Sequence, residues 1–157
     1  MRHRVGRTSM FPRAAAAFAV LALAPLAASC GSQSAAEKQA ITVASWIAKY
    51  GMADVKLLQS DYQASAGALS SGQAAQAKTE CSKLKSDTAA MLKQPQPNSQ
   101  PLAKDWAATV SDSNSFAGDC LQAVQGSSAA QAAASQAGTQ ITFDITAVEN
   151  DIGAILG

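Results

Sequence analysis

Histidine and arginine are missing from most of this chain: the one histidine, His3, and all four arginines, Arg2, Arg4, Arg7 and Arg13, stand within its first thirteen residues. The remainder has no imidazole to exchange protons near neutral pH. That excludes a Ser-His-Asp triad, a Cys-His dyad, imidazole-ligated haem and most zinc sites. It also has no arginine to grip phosphates. From Cys30 onward eight lysines face eleven acids, a net charge of −3, and a mildly acidic surface without a basic face argues against nucleic acid. Aromatics make up only 5% of the chain. A core must then come from aliphatic side chains, many of them alanines that each bury little area at about 25 cal/mol per Å². Long apolar runs are limited to one, Ala14 to Ala28, broken only by Pro25 and shorter than the ~20 residues of a spanning helix.

What is present begins with an address. A basic, acid-free start followed by that apolar run is a signal peptide, predicted to occupy residues 1–29. Its last residues, Leu26-Ala27-Ala28-Ser29-Cys30, resemble the lipobox of bacterial lipoproteins, in which small residues precede a cysteine that is lipidated and becomes residue one. The leucine sits one place further from the cysteine than is usual. Two or three acyl chains on Cys30 would hold the protein stably on the extracytoplasmic face of the cell membrane. The competing expectation is plain secretion, since Ala27 and Ser29 also fit an ordinary cleavage site. Lipidation of Cys30 is favoured because it leaves Cys81 and Cys120 as an even pair outside the cytoplasm.

The mature chain has the size of one domain. Residues 30–36 read as a lipidated tether and 37–157 as an all-α, antiparallel up-down four-helix bundle. The first helix is expected from Glu37 to about Ala68, with Ile41, Ala44, Ala48, Gly51, Val55, Leu58, Tyr62 and Leu69 on one face and Trp46, Tyr50 and Leu57 on a second stripe. The second should run from about Ser71 to Lys93, showing Ala74, Ala77, Cys81, Leu84, Thr88 and Met91 inward. Ser70 with Gln73 has capping-box spacing. The proline-rich stretch Gln94 to Pro101 breaks the helix, because proline lacks an amide hydrogen and restricts its predecessor. A third helix is expected from near Ser99 to near Gly126, through Leu102, Trp106, Thr109 or Val110, Ser113, Phe116 or Ala117, Cys120 and Val124. The fourth follows a Ser128/Gln131 capping box and carries Ala134, Ala137, Ile141, Ile145, Val148, Ile152 and Ile155.

Cys81 and Cys120 fall on inward faces of the second and third helices, which predicts a disulfide stapling that hairpin. Their distances from the linker differ by seven residues, so the linker must climb about 10 Å along the bundle. The order Trp46, Asp61, Cys81-x-x-Leu84-x-x-Asp87, Pro95-x-Pro97, Trp106 and Cys120 resembles small secreted and lipid-anchored helical proteins of actinobacteria, of mycobacterial type, whose function is unassigned. The resemblance covers roughly residues 40–125. It implies a cell-envelope setting and the same disulfide-linked hairpin, and it brings no active site.

Two constellations remain. Asp105, Asp112 and Asp119 recur every seven residues on the third helix, as Asp54 and Asp61 do on the first. Neighbours in each row are about 10.5 Å apart, too far to share one cation, so no metal or other cofactor is expected. Trp46, Tyr50 and Trp106 are read first as core packing, the commoner fate of aromatics at helical spacing; as a partly exposed patch they would be the candidate partner-binding residues. The chain is therefore expected to be a non-catalytic binding or interaction module of the cell envelope, membrane-attached through its lipid. The alternative is a carrier that holds a small apolar ligand between its helices.

Overall fold

The computed structural model describes residues 42–157. Cys30, the signal peptide, the tether and Ile41 lie outside the described residues. Residues 42–46 are α-helical and pass through a π-helical turn, Ile47–Gly51, into α1, Met52–Ser70. Then follow α2 (Ala74–Met91), α3 (Gln100–Val124) and α4 (Ser128–Leu156). Each helix packs on the next in sequence. Their directions alternate, as the cross-links require: Cys81 pairs with Cys120 while Thr88, further along α2, meets the earlier Asn114 of α3. The disulfide joins residues whose Cα atoms are 6.1 Å apart.

The two short turns are built alike. After α1, the Gln73 amide donates to the Ala68 carbonyl and the Gly72 amide to that of Leu69. After α3, Ser127 and Gly126 donate in the same way to Gln122 and Ala123. These are Schellman caps, which need a left-handed residue, and Gly72 (φ 70°) and Gly126 (φ 98°) supply it. The first cap uses up residues 70–73, so the expected Ser70/Gln73 capping box does not form. Ser70 and Ser71 instead donate to the Gly67 carbonyl, and α2 starts at Ala74 rather than Ser71. The N-cap of α4 is Ser127, whose Oγ accepts from the Ala130 amide at 3.2 Å, one residue before the expected Ser128. Ser99 is extended ahead of α3 with Pro101 in the first turn, as its sequence predicts.

The faces expected of α2, α3 and α4 are largely those that are buried. Ala74 and Ile155 are exceptions, being exposed at helix ends. The N-terminal stretch differs. Ala48 is exposed, whereas Val43, Trp46, Ile47 and Gly51 are buried and Tyr50 is half-buried. In a regular helix the steps 43, 47, 51, 55 would drift round the axis by roughly 120°. The wider π turn takes more residues per revolution, so all four stay on the buried side.

The linker climbs further than expected. α2 ends ten residues past Cys81, whereas α3 begins twenty before Cys120, so residues 92–99 make up about 15 Å of axial distance. They run as a strap where α2 would otherwise continue. Pro97 is buried, and the Trp46 Nε1 donates to the Pro95 carbonyl at 2.6 Å.

Candidate functional site

Two of the three candidate aromatics are internal. Trp106 is fully buried on the core stripe of α3, Trp46 is 5% exposed, and their rings meet edge to face with centroids 5.4 Å apart. Tyr50 lies 6.4 Å from Trp46 and is half-buried, with the Lys49 ammonium 4.9 Å over its ring. Burial of Trp46 and Trp106 favours core packing over a displayed patch, while Tyr50 keeps part of its ring at the surface. The π turn carries Trp46 inward, and the strap takes up its one polar atom, so the pair seals the three-helix end of the core. Gly51 belongs to the same packing: a Cβ there would stand 2.9 Å from Cζ3 of Trp46.

The acids come together only in pairs. Asp61 is buried, and Lys83 donates to its Oδ1 at 2.5 Å and to Asp87 Oδ2 at 3.1 Å. Burial pushes the Asp61 carboxyl above its usual range, outweighing the Lys83 ammonium beside it. For Asp87 burial acts in the same upward direction, but hydrogen bonds with Asp61 and Lys83 prevail and hold its pKa low. Burial also raises Asp54, against a lowering hydrogen bond from Gln94. Asp112 is raised by burial and by the Asp144 carboxylate facing it from α4. Among the described residues no three His, Cys, Asp or Glu side chains gather as a metal site.

One concavity unites residues that periodicity did not single out together. α1 touches α4 only lightly. Between them lies a cleft of 320 Å³, walled by Tyr62, Ala66 and Leu69 on one side and Ala134 and Gly138 on the other, with Phe116 of α3 as its floor. It adjoins a second hollow of 200 Å³ at the Schellman-capped end, and Leu69 and Gln131 border both. Tyr62 bridges the seam. Its ring packs edge to face on Phe116 with centroids 5.1 Å apart, and its hydroxyl donates to the Gly138 carbonyl at 3.0 Å. The rim holds Ser70, Gln131 and Ser135, and no charged side chain lines the cleft. Small residues at 134 and 138, one helical turn apart, are the sequence signal for it, because they leave space beside α4 that larger side chains would fill.

Compared with known proteins, the chain matches no family model, no curated protein and no solved structure.

Proposed function

We propose that this chain is a lipid-anchored, extracytoplasmic binding protein without catalytic turnover, and that its binding site is the α1–α4 cleft. The observation that carries the reading is the cleft itself: an apolar floor and walls, uncharged hydroxyl and amide groups at the rim, and a volume of 320 Å³ at the low end of small-molecule sites. Its chemistry suits a neutral, largely apolar ligand. A charged ligand would lose hydration there with no counter-charge in reach.

The anchor reading rests on Cys30 and the basic, apolar and small-residue segments before it. No helix among the described residues is long and apolar enough to cross a membrane, so attachment falls to the lipid. The absence of histidine after residue 3 and the consumption of Cys81 and Cys120 in a disulfide support binding over turnover. The sparse actinobacterial resemblance fits an envelope setting.

The neutral fluorophore N-phenyl-1-naphthylamine tests the site. The protein should enhance its emission saturably, and Ala66→Leu, which fills the cleft wall, should abolish the enhancement without lowering the melting temperature. Equal enhancement by wild type and Ala66→Leu would refute the cleft as the site.

A further inference from the structure

The α1–α4 cleft and the 200 Å³ hollow at the Schellman-capped end meet across a half-buried leucine and an exposed glutamine, Leu69 and Gln131. Their linings differ. The hollow is walled by Ala68, Ala74, Ala77, Ala123 and Val124, and Gln131 is the single polar side chain on it. The hydroxyls stand on the cleft side, at Tyr62, Ser70 and Ser135. Each of the three commits its one proton to a backbone carbonyl, Tyr62 to that of Gly138, Ser70 to Gly67 and Ser135 to Gln131, all at 3.0 Å. Only oxygen lone pairs remain on them for a ligand.

We infer that the ligand is a neutral single-chain amphiphile whose polar end donates a hydrogen bond, lying with that end in the cleft and its hydrocarbon tail in the capped-end hollow. The inference rests on the cleft being the binding site and adds the class of its occupant. Polarity sets the direction, because a polar end in the hollow would give up water with only Gln131 to replace it. On the far side the Tyr62 ring stands between the cleft and a hollow of only 90 Å³, which leaves a tail little room. Length sets the shape. Tyr62 to Leu69 on α1 and Gln131 to Gly138 on α4 are each seven residues, so both walls of the cleft measure about 10.5 Å. An extended chain advances about 1.2 Å per bond, so one of more than about nine bonds has to pass between Leu69 and Gln131. A single unbranched chain needs the least opening to do so.

Competition against N-phenyl-1-naphthylamine tests this, with octanol, decanol, dodecanol and dodecyl methyl ether as straight-chain probes. In wild type each two added methylenes should lower the displacing concentration about ten-fold. The ether has the dodecyl chain and no proton to donate, and it should compete about five-fold less well than dodecanol. In Ala74→Leu/Ala123→Leu, which fills the hollow from α2 and α3, octanol should compete as in wild type while decanol and dodecanol gain nothing over it. Ala74→Leu alone, at an exposed position, keeps the comparison if the double variant does not fold. Three results would overturn the inference and leave the cleft standing, provided Ala66→Leu abolishes fluorophore binding: no displacement by any alcohol, equal chain-length gains in wild type and the hollow-filling variants, or ether and alcohol competing equally. Fluorophore enhancement that Ala66→Leu does not reduce would overturn both.

Discussion

The Tyr62 hydroxyl donates to the Gly138 carbonyl across the α1–α4 seam at 3.0 Å, and a Cβ at position 138 would stand 2.6 Å from that same oxygen. A tyrosine at 62 in this position therefore favours glycine at 138. Gly138→Ala should destabilise the protein by about 1–2 kcal/mol, because the steric conflict exceeds the ~1 kcal/mol that alanine gains over glycine in a helix. Removing the hydroxyl relieves the closest contact and leaves the ring carbons Cε2 and Cζ at 3.3 Å. Tyr62→Phe/Gly138→Ala should be more stable than Gly138→Ala alone, a non-additivity that urea titration of the four proteins measures.

The Cys81–Cys120 bond closes a loop of 39 residues in the sequence. In the chain-entropy model such a loop contributes about 4 kcal/mol. Cys81→Ala/Cys120→Ala should lose a large part of that, seen as a lower urea midpoint. Reductant should lower the midpoint of wild type and leave that of the variant unmoved.

The buried tryptophans should behave as core. Trp106→Ala is expected to cost about 3–5 kcal/mol or to prevent folding. Trp46→Phe keeps a ring against Trp106 and loses only the bond to the Pro95 carbonyl, so it should cost about 1–2 kcal/mol. Thermal melts followed by far-UV circular dichroism compare them.

Asp112 supplies a pH dependence. Burial and the facing Asp144 raise its folded pKa above the unfolded value, so in the interval between the two the folded state binds the proton more strongly. Its contribution to stability is therefore greatest when protonated and falls as pH rises through that interval. Asp112→Asn should be more stable than wild type at pH 7, and the difference should shrink as pH falls below the unfolded carboxylate range. Melting temperatures at several pH values, in matched salt, give the comparison.

Helix number, order and the buried faces of α2, α3 and α4 were legible because a strict three-and-four spacing admits only one inward side. Cys81 and Cys120 could be paired for the same reason. The N-terminal stretch was less legible, since the π turn changes the residue count per revolution and exchanges Ala48 for Ile47 on the buried side. The Ser70/Gln73 box gave way to a Schellman cap that uses the same residues, and the Ser128/Gln131 box to an N-cap one residue earlier, at Ser127. The strap was foreseen as a climb, but not as the acceptor for Trp46, and that bond turns a candidate contact residue into a core one. The cleft was hidden because it arises from a gap between α1 and α4, elements distant in sequence, and a gap leaves no periodic mark.

The most direct test of the account is native mass spectrometry of the protein extracted from its own membrane in a mild detergent. The predicted species begins at Cys30 with acyl mass attached, retains the Cys81–Cys120 bond, and releases a neutral small molecule that Ala66→Leu no longer carries. A chain without acyl mass at Cys30, isolated with no bound molecule or with one that Ala66→Leu retains equally, would contradict the account.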